Sequence, residues 1–206
     1  MRNFLGLRLH RFVPTGLLAL VAAALLAPAA ANATPYVVTL TQQGSNVVAT
    51  GSGEFDLTGL TLSGSFSDVP GVIPTYAYLM TGGTGSFNFF TGLSGPATFG
   101  AGTSMGTNNF AGDLIVVQGQ GGFLGLLPGY VSGSALTSSA TFDNQSLASL
   151  GVTPGTYVWT WGSGADQSFT LDIVSPTAVP EPDALGTFGF GLLAIGAFAG
   201  LRRRTA

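Results

Sequence analysis

The sequence predicts an all-β protein: an antiparallel β-sandwich with jelly-roll-like features, flanked by an N-terminal signal helix and a single C-terminal transmembrane helix. Short runs of β-branched and aromatic residues alternate with polar residues at a period of two, as strands do. Gly, Pro, Asn and Asp separate these runs, and such residues favour tight turns. The third observation is an uncharged apolar stretch at residues 184–201, which is long enough to span a bilayer.

The two ends of the β-rich region predict hairpins. Residues 36–41 and 46–50 are β-branched runs joined by a short glycine-containing polar segment, so they predict an opening hairpin. Residues 157–161 and 169–173 alternate in polarity and are joined by a Gly-Ser-Gly turn, so they predict the closing hairpin.

The middle of the chain carries weaker signals. Short apolar runs at residues 76–80, 87–90 and 114–117 predict further strands, and residues 146–150 predict a brief helical turn. The 32 glycines would also suit a disordered low-complexity chain, but aromatic residues recur in nearly every predicted strand and favour a fold. No fixed repeat period is evident, although a β-solenoid remains an alternative.

Residues 1–33 predict a signal peptide. Arg2, Arg8 and Arg11 make a basic segment, an apolar segment follows, and Ala31-Asn32-Ala33 supplies the small-x-small pattern that signal peptidase cuts. Cleavage is expected after Ala33. The alternative is an uncleaved N-terminal anchor. The basic segment has no twin arginine, which favours the general secretion route over the export route for folded proteins.

Residues 179–206 predict a membrane tail. The eighteen uncharged residues 184–201 would form a helix of roughly 27 Å at about 1.5 Å per residue, close to the bilayer core of about 30 Å. Pro180 and Pro182 disfavour helix in the residues before them, so the helix should begin after Pro182. Arg202, Arg203 and Arg204 then mark the cytoplasmic end.

The region between these segments, residues 34–178, has an unusual composition. Its charges are one Glu and six Asp, because every Arg and the only His lie outside it and the chain has no Lys or Cys. This acidic balance repels nucleic-acid phosphates, so no nucleic-acid partner is expected. Serine triads, cysteine nucleophiles, Schiff-base lysines and His-rich zinc sites cannot be assembled from these residue types.

Carboxylates are the remaining chemical groups. Glu54 and Asp56 would share one face of a strand, and such pairs serve calcium binding or glycoside hydrolysis when they are not simply solvated. They are therefore a weak calcium candidate, and no cofactor is predicted. Asp143 and Asp166 lie in turn-like sequences that offer oxygen ligands but lack the EF-hand pattern.

Aromatic residues raise the possibility of a carbohydrate platform. Tyr157, Trp159 and Trp161 would lie on one strand face, where they could stack on sugar rings if exposed. Burial in the core is the more ordinary fate of such a stripe.

The tail resembles a known sorting signal. Val179-Pro180-Glu181-Pro182, the apolar helix and the arginines 202–204 closely resemble the PEP-CTERM signal of Gram-negative bacteria. The resemblance implies Pro180, Glu181 and Pro182 as the recognition element for an exosortase, a transient stay in the inner membrane with the C-terminus cytoplasmic, and delivery to the cell surface or extracellular matrix. Residues 151–162 also resemble a closing segment of ectodomains that carry this tail, which implies a shared β domain and no known reaction.

These observations predict a non-enzymatic exported surface or matrix protein associated with exopolysaccharide or biofilm material. Its expected partners are signal peptidase, an exosortase, the inner membrane and exopolysaccharide. The alternatives are a carbohydrate- or calcium-binding β module and, less favoured, a carboxylate-dependent hydrolase. The PEP-CTERM tail is sometimes catalogued under the name of an ice-binding protein, a label that describes the tail alone.

Overall fold

The computed structural model describes residues 34–164 and 166–175, and these residues form two β-sheets. The strands are β1 (Tyr36–Gln43), β2 (Asn46–Gly53), β3 (Thr61–Asp68), β4 (Gly71–Ile73), β5 (Tyr78–Thr81), β6 (Gly85–Thr91), β7 (Met105–Gly106), β8 (Asn109–Gly112), β9 (Ile115–Gln118), β10 (Phe123–Leu126), β11 (Leu136–Phe142), β12 (Gly155–Thr160) and β13 (Ser168–Val174). A 3-10 turn spans Pro74–Tyr76 and a single helical turn, α1, spans Leu147–Leu150. The prediction of an all-β protein is confirmed.

Six strands form sheet 1 in the order β12-β13-β1-β2-β11-β8, and seven form sheet 2 in the order β3-β6-β10-β9-β5-β4-β7. Neighbouring strands run antiparallel, as predicted, with one exception. β1 and β13 run parallel, and Tyr36 faces Phe169 while Thr41 faces Val174. The sequence prediction missed this pair because it joins the two ends of the domain, and local patterns carry no information on such distant pairing.

Both predicted hairpins are present. β1 and β2 pair antiparallel around a turn in which Gly44 has a φ of 60°, a left-handed conformation that glycine adopts without steric cost. β12 and β13 pair antiparallel as the closing hairpin, although β12 ends at Thr160 and leaves Trp161 in the following turn. The predicted helical turn is α1, capped by Ser146, whose hydroxyl accepts a hydrogen bond from the Ser149 amide.

The main hydrophobic core lies between the sheets. Tyr36, Val38 and Leu40 alternate with more exposed residues on β1 and are buried, because successive side chains of a strand point to opposite faces. Leu79 and Val117 contribute to the same cluster from sheet 2. The period-two pattern in the sequence therefore produces the inner face of each sheet.

Sheet 2 also buries apolar side chains on its outer face. Tyr78, Met80, Phe87, Leu114 and Val116 form a second cluster, separate from the core between the sheets. β5 is consequently buried at all four positions, since Leu79 faces the first cluster while Tyr78 and Met80 face the second. A strand buried on both faces loses the alternation by which it could be recognised in the sequence.

The predicted signal peptide, with its cleavage pattern at Ala31 and Ala33, lies outside the described residues, as does the tail from Val179 to the arginines 202–204. Within residues 34–164 and 166–175, no helix is long and apolar enough to cross a membrane.

Candidate functional site

The outer face of sheet 2 carries a concave surface with a volume of about 340 Å³, which we call the aromatic groove. Its lining residues are Phe66, Asp68, Ile73, Tyr78, Phe87, Phe89, Gln118 and Phe123. The groove lies over the second apolar cluster, so its floor is packed protein and its walls are aromatic rings. A concave, mostly apolar surface with a few polar groups is typical of ligand sites.

Two pairs of rings shape the groove. Phe66 meets Phe87 edge to face at a centroid distance of 6.0 Å, and Phe89 meets Phe123 in a tilted contact at 5.7 Å. Both arrangements suit the quadrupoles of aromatic rings, which disfavour face-to-face stacking. The rings therefore hold one another in place.

Two glycines on the same face make room for these rings. A Cβ added at Gly125 would lie 2.7 Å from Cδ2 of Phe87, and one added at Gly64 would lie 2.9 Å from Cε1 of Phe89. Both distances are shorter than van der Waals contact, so a larger residue at either position would displace a ring. The glycine content of the sequence thus has a packing role here, beside its role in turns.

The polar groups of the groove are partly fixed. The Tyr78 hydroxyl donates to Oδ2 of Asp68 at 2.8 Å, and the Val69 amide donates to Oδ1 at 2.8 Å. Burial raises the pKa of Tyr78, and the hydrogen bond to Asp68 raises it further, so the phenol stays protonated as a donor. Asp68 and Gln118 place acceptor oxygens and an amide beside the aromatic surface.

Glu54 and Asp56, the weak calcium candidates, lie just after β2 and bind different partners. Oε1 of Glu54 accepts a hydrogen bond from the Thr34 amide at 3.2 Å. The Asp56 carboxylate accepts from the Thr58 amide at 2.9 Å and from Gln167 Nε2 at 2.9 Å. Phe55 between them is fully buried in the core.

Asp56 joins three loops of the chain. Besides Thr58 and Gln167, the Ser132 hydroxyl donates to Oδ1 at 3.2 Å, and the Trp161 indole donates to the Asp56 carbonyl at 2.7 Å. Hydrogen bonds from Thr58 foremost, with those from Ser132 and Gln167, hold the pKa of Asp56 below its ordinary value of 3.8. The carboxylate therefore braces the end of the sandwich as an anion.

The remaining acidic candidates are dispersed. Asp143 borders a polar depression of about 520 Å³ together with Asn108, Asn109 and Thr107. Asp166 lies in the β12–β13 turn, where its carbonyl accepts from the Asp56 amide at 3.2 Å. Across the described ranges, no group of three or more His, Cys, Asp and Glu residues is placed to hold a metal ion.

The structure places the predicted aromatic stripe mainly inside the protein. Trp159 is fully buried, packs against Phe169 at 5.7 Å and donates its indole proton to the Pro96 carbonyl at 2.8 Å. Tyr157 and Trp161 are half-buried. The stripe thus packs the closing hairpin, and the open aromatic surface is the groove on the opposite sheet.

Sequence reasoning missed the groove as a site. The available local signal is the spacing of Phe87 and Phe89, because residues two apart in the strand predicted at 87–90 lie on the same face. Nothing local showed that Phe66 and Phe123, on β3 and β10, would join them.

Comparison of the chain with protein-family models, with curated proteins and with solved structures finds no match in any of the three.

Proposed function

We propose that this chain is a non-enzymatic surface or matrix protein that is exported by its signal peptide and sorted by its PEP-CTERM-like tail. The exported part is the β domain at residues 34–178, which has a jelly-roll-like arrangement of strands. An N-terminal signal helix precedes it and a C-terminal transmembrane helix follows it. Exosortase and signal peptidase act on it transiently at the inner membrane, and exopolysaccharide is its expected surrounding.

The structural support for the non-enzymatic part of this proposal is that carboxylates of the β domain are engaged in hydrogen bonds within the fold. Asp113 accepts a hydrogen bond from the Thr137 amide at 2.8 Å, and Asp172 accepts from the Thr156 hydroxyl at 3.0 Å. Glu54, Asp56 and Asp68 are engaged in the same way. These hydrogen bonds tie each carboxylate to a neighbouring segment of the chain, which suits a structural role.

Intact-mass spectrometry of the protein in each cell fraction tests the sorting. We expect surface material to lack both the signal peptide and the segment bearing Arg202–Arg204, while a membrane intermediate retains that segment. Glu181→Ala should keep the protein in the membrane unprocessed, and Asp183→Asn, which changes the neighbouring acidic residue, should leave sorting intact. Persistence of the full-length wild-type chain in the cytoplasm would contradict the proposal.

A second candidate function is binding of a neutral polysaccharide in the aromatic groove. Sugar rings present C–H faces that pack on aromatic rings, and their hydroxyls suit the acceptors of Asp68 and Gln118. The groove volume of about 340 Å³ is within the usual range for ligand sites. A neutral polymer is favoured over an acidic one because residues 34–178 contain carboxylates and no basic side chain.

Titration calorimetry with dextran, a neutral glucan, and alginate, an acidic polymer, tests this candidate. We expect dextran to bind and Phe123→Ala to weaken it about five- to tenfold, since one aromatic contact contributes about 1 kcal/mol. Tyr76→Ala, an exposed aromatic outside the groove, is the matched control. Equal binding by both variants, or a preference for alginate, would count against the groove.

The calcium and hydrolase alternatives have less support. Glu54 and Asp56 are bound to different partners, Thr34 for the first and Thr58 and Gln167 for the second. In the described ranges, no further acidic residue joins them to make a metal-binding group of three. A calcium-dependent rise in melting temperature that is lost in Asp56→Asn would restore the calcium alternative.

A further inference from the structure

The free edge of β3 is the surface from which we draw a further inference. β3 is the terminal strand of sheet 2 and pairs only with β6, so its other edge presents backbone N–H and C=O groups without a strand partner in the described part of the chain. Seven of its eight residues are exposed, and the eighth, Asp68, is half-buried. Leu62 and Phe66 are 56% and 61% exposed, which is high for large apolar side chains.

The other sheet edges among the described residues are shorter, or are covered at one end. β7 has two residues and β8 has four. β12 is flanked at its C-terminal end by Ser94, which exchanges two backbone hydrogen bonds of 2.9 Å with Thr160. Soluble proteins blunt their edges by such means, by β-bulges, or by Lys and Pro, because an open edge invites pairing with another chain. β3 contains neither Lys nor Pro.

A β-bulge divides β3 into two parts. The register with β6 shifts between Leu62 and Gly64, and from Gly64 to Asp68 the pairing is regular. The shift places Leu62 opposite Phe90 and Phe66 opposite Phe87, so the two apolar side chains lie on opposite faces of the sheet. The regular part is the segment that can accept a further strand.

We propose that the free edge of β3 pairs antiparallel with β3 of a second copy of this chain, centred on Phe66. This register sets Phe66 against Phe66 of the second copy, a cross-strand aromatic pair that continues the aromatic surface. It sets Asp68 opposite Gly64, which has no side chain. The two Asp68 carboxylates are then separated along the seam by four residues, about 13 Å, which exceeds the Debye length of about 8 Å at physiological salt.

Charge favours this arrangement over parallel pairing. A parallel, in-register pair would set Asp68 directly against Asp68, and like charges opposite each other destabilise a sheet. Because the described residues of each copy offer one such edge and that edge pairs with itself, the result is a closed twofold dimer with one continuous sheet across it, and not a fibre. The inference goes beyond the proposed function and does not depend on the sorting tail or on the polysaccharide.

A charge-swap experiment on Ser65 and Ser67 tests the dimer. These exposed residues face each other across the proposed seam, Ser65 of one copy opposite Ser67 of the other. The variant Ser65→Lys/Ser67→Lys sets like charges in opposition, as does Ser65→Glu/Ser67→Glu. Sedimentation velocity of the full-length chain in non-ionic detergent should show a dimer for the wild type and an about twofold smaller mass for each variant alone. An equimolar mixture of the two variants should restore the dimer.

The mixture separates pairing from misfolding, because a variant that failed to fold would not be rescued by its opposite. It also separates pairing through β3 from association through the apolar tail, which all variants share. Thr103→Lys/Ser104→Lys adds the same charge at exposed positions outside the sheets and should remain dimeric. A monomeric wild type, a lysine variant that stays dimeric, or a mixture that stays monomeric would each overturn the proposal.

Discussion

Gly82 and Gly44 share a left-handed backbone conformation but lie in very different surroundings. Gly82 has a φ of 75°, and a Cβ there would lie 1.7 Å from the Asp113 carbonyl oxygen. Gly44 has a φ of 60° in the β1–β2 turn, and a Cβ there would meet nothing within 4 Å. The two positions therefore separate backbone strain from steric exclusion.

We expect Gly82→Ala to destabilise the protein more than Gly44→Ala. The left-handed conformation costs about 1–2 kcal/mol for alanine at either site, and forced displacement at Gly82 adds about 1–3 kcal/mol. Urea denaturation of the two variants measures the difference. Equal losses of stability would mean that the contact with Asp113 relaxes without cost.

Asp56 gives the domain a predictable dependence on acid. Because the folded-state pKa of Asp56 is lowered, its stabilisation is fully present above the unfolded value near 3.8 and is lost as the pH falls through the folded value. Asp56→Asn places an amide against the Gln167 amide and should lower the melting temperature at neutral pH. We expect the gap between wild type and variant to narrow below about pH 4. A gap that stayed constant down to pH 2 would show that the anion contributes nothing.

For single residues, the sequence indicated which side chains carry reactive or ligating groups, but it did not indicate what those groups bind in the fold. Glu54 and Asp56 are two residues apart, and the spacing alone suggested a shared face. In the structure both follow the end of β2, and each accepts a hydrogen bond from a distant segment: Glu54 from Thr34 and Asp56 from Gln167. The partners of both carboxylates therefore come from segments far apart in the sequence, which the spacing alone does not reveal.

Among the elements, β1, β5 and β11 are joined by a buried chain of hydroxyl groups. The Ser138 hydroxyl lies 2.7 Å from the Tyr36 hydroxyl and 2.6 Å from the Thr81 hydroxyl, so it links sheet 1 to sheet 2. Gly51 makes room for the Tyr36 ring, because a Cβ there would lie 2.6 Å from the phenol oxygen. Burial raises the pKa of Tyr36, so the phenol keeps its proton for the hydrogen bond with Ser138.

Ser138→Ala should therefore be costly although it removes a single oxygen. It would leave the Tyr36 and Thr81 hydroxyls without their shared partner, at about 1–3 kcal/mol for a buried polar group. Ser104→Ala, at an exposed position, should change stability by no more than about 0.5 kcal/mol. Thermal melting of the two variants makes the comparison, and equal melting temperatures would argue that water replaces the lost oxygen.

Elements with strong local patterns were predictable, and those without were not. The two hairpins combine β-branched runs with glycine turns, so pattern and pairing agree. β3 has the sequence Thr-Leu-Ser-Gly-Ser-Phe-Ser-Asp, in which serine and glycine obscure any alternation of apolar and polar residues. A bulge between Leu62 and Gly64 also changes which face of the sheet the later side chains occupy. Its existence depends on pairing with β6, which local sequence does not encode.

For the molecule as a whole, the class could be predicted and the connectivity could not. The number of short runs, their turns and the lack of helical periods indicate sheets. The division of strands between two sheets, and the outer cluster around Tyr78 and Met80, depend on contacts between residues far apart in the chain.

The parallel pairing of β1 with β13 determines how the domain bears mechanical load. Force applied at Thr34 and Ser175 pulls the two strands in opposite directions along their length, so the six paired positions from Tyr36–Phe169 to Thr41–Val174 are loaded together. Force applied at Gly155 and Val174 would instead open β12 from β13 one pair at a time, because those strands are antiparallel. Single-molecule pulling should give the higher unfolding force for the first geometry. If one end of the domain is tethered and the other end is pulled, β1 and β13 are loaded in shear. This is the loading direction in which the two terminal strands resist separation best.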